Sequence, residues 1–239
     1  MRGGRSESMP DHECSHTDSG RRHFLHAVLS SAVIGVAAQA GIAPRGLQAQ
    51  TNLGPDAAMQ ELLAGNQRFA ANQLRSIDHD LSILREHTVG KQEPFAAVLS
   101  CADSRVPPEL IFDQTIGHIF VTRVAGNIAT PEIIASLEYG VAVLEVKALV
   151  VLGHSGCGAV KAAMKADAVP GQISALYPHL RQAVQQSDGN FAKAIEANTK
   201  IQAELLRTSS TVIRDAFKAG KLKVDAGVYD LATGKVTMS

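Results

Sequence analysis

Val146-Lys147-Ala148-Leu149-Val150-Val151-Leu152-Gly153-His154-Ser155-Gly156-Cys157-Gly158 runs from an apolar stretch straight into a glycine-rich turn carrying an imidazole and a thiol. The apolar residues do not alternate with polar ones, so a strand here is covered on both faces, as in a parallel sheet packed between helices. Phe95-Ala96-Ala97-Val98-Leu99-Ser100-Cys101, following Pro94, has the same character, and Ile119-Phe120-Val121-Thr122 is a third such run. Helical patterns surround them. Pro55 to Leu74 carries Met59, Leu62, Leu63, Phe69 and Ala70 at helical spacing, and Ser82 to Thr88 reads as a second, shorter helix. Pro131 to Leu144 has proline at its start and apolar residues at Ile134, Leu137, Val141 and Leu144. Gly158 to Ala166 also reads as helix, as does Phe191 to Phe217 with a weak point at Ser209-Ser210-Thr211. Leu222 to Tyr229 and Lys235 to Met238 read as short strands around Thr233-Gly234. The pattern predicts an α/β fold, a mainly parallel central β-sheet flanked by helices, in a single domain over residues 51–239. Cys101 is then expected at the end of one strand and His154 two residues past another. Both fall at carboxyl ends of parallel strands, where open α/β sheets place their sites.

Cys101, His154 and Cys157 form a candidate metal set. Two thiolates and an imidazole suit Zn²⁺, and three protein ligands leave one tetrahedral position open, the mark of a catalytic rather than a structural site. Zn²⁺ with two thiolates and a neutral imidazole carries no net charge, so it should acidify water less than a three-histidine centre. Asp103 stands two residues from Cys101, and Arg105 two residues further can hold its carboxylate in a bidentate pair. Gly153, Gly156 and Gly158 allow close backbone approach. His154-x-x-Cys157 alone is a weak motif; its weight comes from standing after a buried strand with Cys-x-Asp-x-Arg elsewhere. Gly153-His154-Ser155-Gly156-Cys157 nearly matches a serine-hydrolase elbow, but Cys157 replaces the final glycine and only His179 follows Ser155.

Composition narrows the classes of function. The 239 residues carry no net charge and no Trp. No basic stripe or aromatic platform is present, which argues against nucleic acid as a partner. Residues 1–50 read as an export leader. Arg21-Arg22-His23-Phe24-Leu25 precedes an uncharged run from Ala27 to Ala40 that ends in Ala38-Gln39-Ala40. That run is too short for a stable membrane anchor and has the layout of a signal sequence cleaved near residue 40 or 49. The arginine pair resembles a twin-arginine signal, which predicts a periplasmic protein. Cys14 would leave with the leader, so the mature chain keeps Cys101 and Cys157. An oxidising compartment favours a disulfide, whereas both thiols are wanted as ligands; export of an already folded, zinc-loaded chain reconciles the two.

Cys101-Ala102-Asp103-Ser104-Arg105-Val106-Pro107 and Gly153-His154-Ser155-Gly156-Cys157-Gly158 resemble the two signatures of the β-class carbonic anhydrases. Phe120, Arg123, Ala125-Gly126-Asn127, Ser136-Leu137-Glu138-Tyr139 and the stretch from Val228 to Lys235 extend the resemblance over roughly Asp56 to Val236. It implies one Zn²⁺ per chain on Cys101, His154 and Cys157, with Asp103 and Arg105 as a catalytic dyad. It implies reversible hydration of CO2 to bicarbonate and a proton by a zinc-bound hydroxide. By position, Gln92, Phe120, Ala125, Tyr139 and the Gly156 backbone match the substrate pocket of the plant-like branch, although Phe120 and Tyr139 could equally be core residues and Gln92 an exposed loop residue. The other branch uses a Trp for an allosteric bicarbonate site, and this chain has none. The family builds homodimers, often doubled to homotetramers, whose N-terminal helix embraces the neighbour; Pro55 to Leu74 fits that part. In some members the aspartate swings from its arginine onto zinc at lower pH. Hydrolysis of CS2 or COS on the same scaffold is an alternative. A non-catalytic zinc-stapled binding domain is another, against which the Asp103–Arg105 pair argues.

Overall fold

In the computed structural model, residues 53–76 and 88–239 are described. The expected leader and all but the last position of the expected 82–88 helix lie outside them. Helix α1 (Pro55–Ala70) opens the fold with Pro at its start and Asp56 in its first turn. It ends four residues before the predicted Leu74. Asn72 adopts a left-handed φ of 55°, and Asn72 N–H and Gln73 N–H donate to the Phe69 and Arg68 carbonyls. That is a Schellman ending, with asparagine in the place glycine usually takes.

Strands β1 (Ala96–Ser100), β2 (Ile119–Arg123), β3 (Ala148–His154), β4 (Lys223–Tyr229) and β5 (Val236–Met238) form one sheet in the order β2-β1-β3-β4-β5. All neighbours are parallel except β4 and β5. Every residue of β1 and β3 is buried, as their uninterrupted apolar runs require. Alternate side chains serve opposite faces. Ala97, Leu99, Leu149 and Val151 pack with Leu137, Val141, Leu206 and Ile213 on one side. Ala96, Val98, Val150 and Leu152 pack with Met59 and Leu62 of α1, and with Phe95 and Phe112, on the other. Fully burying a large side chain of this kind contributes ~1.5–3 kcal/mol, so the two layers hold the sheet.

A single turn, α2 (Pro108–Ile111), lies between β1 and β2, and α3 (Pro131–Ala142) joins β2 to β3. Helices α4 (Gly158–Lys165), α5 (Tyr177–Gln186), α6 (Phe191–Ser209) and α7 (Thr211–Lys218) lie between β3 and β4. The expected weak point at 209–211 is a complete break. Ser210 is extended, and its Oγ accepts from Ile213 N–H while donating to Glu138 Oε1. Helix α5 and the turn α2 were not anticipated from the sequence. After β1 the chain goes to β2 on one side, and β3 lies on the other. The carboxyl ends of β1 and β3 therefore flank a topological switch point.

Candidate metal centre

The register Ser100↔Leu152 sets the ends of β1 and β3 level. Cys101 directly follows β1. His154 is the last residue of β3 rather than two residues beyond it, because Gly153 and His154 continue the ladder with Val228 and Tyr229. Cys157 sits just before α4, where helix-terminal N–H groups favour a thiolate. The three ligand atoms lie within 4.8 Å of one another, and all three residues are buried.

The polarity of the cluster suits a cation. His154 Nδ1 donates to the Ser155 carbonyl at 2.9 Å. The other ring nitrogen, Nε2, therefore carries a lone pair, and it is buried with no hydrogen-bond partner. Cys101 Sγ accepts from Gly126 N–H at 3.4 Å. The Cys101 thiol is lowered, first by the hydrogen bond with Cys157 and then, against burial, by the neighbouring His154 ring and the Gly126 N–H. Cys157 is raised by the same bond with Cys101 and by burial. Two sulfurs compete for one proton, an arrangement a divalent ion relieves. An orphaned imidazole nitrogen between two sulfurs fits Zn²⁺.

Asp103 points into the cluster, with Oδ2 3.9 Å from His154 Nε2. Arg105 holds both carboxylate oxygens, Nε to Oδ1 at 2.9 Å and Nη2 to Oδ2 at 2.8 Å, and its backbone N–H adds a bond of 3.0 Å to Oδ1. The Arg105 guanidinium keeps the carboxyl well below the usual carboxylate range, outweighing partial burial. The expected pair is thus formed, and the carboxylate rests on its arginine. Arg105 Nη2 also reaches the Gly156 carbonyl at 3.5 Å. Arg123 clamps the same loop, donating to the carbonyls of Cys101 at 3.0 Å and Asp103 at 2.6 Å. Ser155 Oγ is occupied as an acceptor for Leu231 N–H at 2.9 Å, which ties the turn to the end of β4 and is no nucleophile's arrangement.

The substrate-pocket candidates divide into two groups. Gly156, with φ of 70°, and Ala125, beside the thiolate donor Gly126, stand at the cluster. Phe120 and Tyr139 pair with each other, ring centroids 6.2 Å apart, and Tyr139 is 47% exposed. Gln92 is exposed and precedes the amino end of β1, so the length of the strand separates it from Cys101. Sequence reading missed Asn198 and Gln202 of α6. Their one signal was two amides on a helix face otherwise apolar at Ala194, Ile195 and Leu206.

Residues 96–236 match the protein-family model described as "Carbonic anhydrase". Carbonic anhydrase 2 of Mycobacterium tuberculosis is 32% identical over 78% of this chain and 94% of its own length. The carbonic anhydrase of Mycolicibacterium smegmatis is 35% identical over the same shares. Among solved structures, the β-carbonic anhydrase CcaA is 28% identical with a TM-score of 0.61, over 75% of this chain and 94% of its own. CafA of Aspergillus fumigatus is 27% identical with a TM-score of 0.62, over 76% and 90%. The chain belongs to the β-carbonic anhydrase family.

Proposed function

We propose that this enzyme, a carbonic anhydrase, carries out the reversible hydration of CO2 at one Zn²⁺ held by Cys101, His154 and Cys157. The observation that supports this most is the buried, unpartnered His154 Nε2 set among two thiols. Bound there, the ion would supply a Lewis acid that makes water a nucleophile in the mildly alkaline range. Asp103 accepts a hydrogen bond from the attacking oxygen and aims its lone pair at the CO2 carbon. Arg105 keeps that carboxylate ionised and directed. The Gly156 backbone and Ala125 shape the near wall. Gln92 and the Phe120–Tyr139 pair line the pocket from a second copy of the chain, Gln92 donating to a bicarbonate oxygen and the rings excluding water. This completes the plant-like pocket and makes a homodimer, or a homotetramer built from it, the working form. Expected is one zinc per chain in wild type, with Cys101→Ala, His154→Ala and Cys157→Ala each depleted of metal by elemental analysis. Full zinc occupancy in Cys157→Ala would remove the ligand assignment.

Residues 1–50 act as a twin-arginine leader that delivers the folded, metal-loaded domain to the periplasm. Support comes from Arg21-Arg22 standing before the uncharged 27–40 run. Replacing both arginines with lysine should leave the precursor in the cytoplasm, whereas wild type yields mature periplasmic protein sedimenting as a dimer or larger. Undiminished periplasmic yield of the lysine variant, or a fully active monomer, would remove the corresponding part of this reading.

A further inference from the structure

Helix α6 carries two buried amides on a face that is otherwise apolar apart from Thr199: Asn198 and Gln202 are each 1% exposed. A buried amide is retained at such a place only when its hydrogen bonds are made, and these are made to the loop after β2. Asn198 Nδ2 donates to the Gly126 carbonyl at 2.9 Å. Gln202 Oε1 accepts from Ala129 N–H at 2.9 Å, and its Nε2 donates to Asn198 Oδ1 at 3.1 Å and to the His179 carbonyl at 3.2 Å. Gln202 therefore fixes the amide plane of Asn198, and Asn198 fixes Gly126. Gly126 in turn donates its N–H to Cys101 Sγ.

Gly126 is the residue in this relay that cannot hold itself. Its φ is 80°, and a Cβ there would crowd Ala159 and Leu180 at 3.3 and 3.4 Å. Glycine is thus required, and with it comes freedom to rotate. The peptide after Gly126 is held on one side, where Asn127 N–H donates to the Val124 carbonyl at 2.9 Å, and keeping the Gly126 N–H aimed at the sulfur needs its carbonyl, on the other side, anchored as well. The anchor is Asn198, on a helix that contributes no ligand.

We propose that Asn198, held by Gln202, is a positioning residue for the metal centre: it locks Gly126 so that its N–H stabilises the Cys101 thiolate and sets how strongly that sulfur donates to the metal. This rests on the zinc reading given above. Removing such a supporting partner typically costs ~10–100-fold in metal affinity. A sulfur relieved of its hydrogen bond also has higher-lying lone pairs, which lowers the energy of its charge transfer to a metal.

The test uses the full-length protein loaded with Co²⁺, read by its sulfur-to-cobalt charge-transfer band, together with zinc affinity by chelator competition. In Asn198→Leu, close in volume without a donor, the band should move to longer wavelength and zinc affinity should fall about tenfold or more. Gln202→Leu should shift both in the same direction by less, and it carries the test alone if Asn198→Leu does not fold. Asn66→Leu is the control for simple loss of a buried amide. Asn66 bonds the Ile111 and Gly234 carbonyls and Val236 N–H, so its loss should lower the melting temperature and leave band and affinity unchanged. A wild-type band that neither Asn198→Leu nor Gln202→Leu moves, with wild-type zinc affinity, would overturn the inference alone. Absence of any such band in wild type would overturn the metal reading, and the inference with it.

Discussion

At Asp103 both carboxylate oxygens are engaged by Arg105, and Oδ2 stands 3.9 Å from His154 Nε2. The acid is close enough to the ligands to direct a reacting oxygen, and its arginine keeps it off them. Because Arg105 holds the carboxyl well below the ordinary carboxylate range, Asp103 stays ionised throughout the neutral and alkaline range. A rise of activity with pH between about 6 and 9 is then not the titration of Asp103 itself, and is expected from water at a bound metal and from release of the carboxylate back to Arg105. Arg105→Ala removes the largest cause of that lowering and frees the carboxylate to turn toward the ligands. It should lose at least about tenfold in CO2 hydration across that pH range while keeping its zinc. Asp103→Asn should also keep zinc and lose rate, since an amide is a poorer acceptor than a carboxylate. Hydration rates against pH, with zinc measured alongside, check both. Near-normal rates in the two variants would remove the dyad from the mechanism.

Between elements, a buried ion pair that should respond to pH joins α1 to the turn after α2. Asp113, with no exposed side-chain surface, accepts from Arg68 Nε and from the backbone N–H groups of Arg75 and Ser76, each at 2.9 Å. Burial pushes its carboxyl up, and the Arg68 ion pair with the two N–H donors outweighs it, leaving the group lowered. A folded-state value below the unfolded ~3.9 contributes stability above that pH and loses it as pH falls further. In urea unfolding, the difference between wild type and Asp113→Asn should be constant at neutral pH and shrink below about pH 4. A difference that stays constant into acid would contradict this account of the pair. The same scale shows what a sequence can disclose. β1 and β3 were legible because both faces are buried, so their apolar runs have no gaps. The end of β3 was misjudged because Gly153 has no side chain to report burial, yet its backbone still pairs with β4. Helix α5 buries only Leu180 and Ala183, too thin a stripe to stand out from a polar segment. The Cys101, His154 and Cys157 cluster and the Asp103–Arg105 pair, which the structure brings together, were legible because their chemistry is local in sequence. Asn198 and Gln202 were not, because the loop groups they hold, the Gly126 carbonyl and Ala129 N–H, are more than seventy residues away.

For the molecule as a whole, parallel strands bring Cys101 and Cys157, fifty-six positions apart, to one point at the switch between β1 and β3. The layers on either side of the sheet bury that point without contributing ligands. The flanking helices act on it indirectly, through the α6 amides and through the Cys157 turn that begins α4. Gln92 stands ahead of the amino end of β1, at the opposite end of the strand from Cys101, and the proposed homodimer is what would bring it to a metal centre. The central claim, that this sheet end is a CO2-hydrating zinc centre, is tested most directly by stopped-flow CO2 hydration on the zinc-loaded mature protein and on Cys157→Ala. The account predicts hydration far above the uncatalysed rate in wild type, rising into the mildly alkaline range, and none above background in the variant. Wild-type protein with one zinc per chain and no acceleration, or a Cys157→Ala variant as fast as wild type, would contradict it.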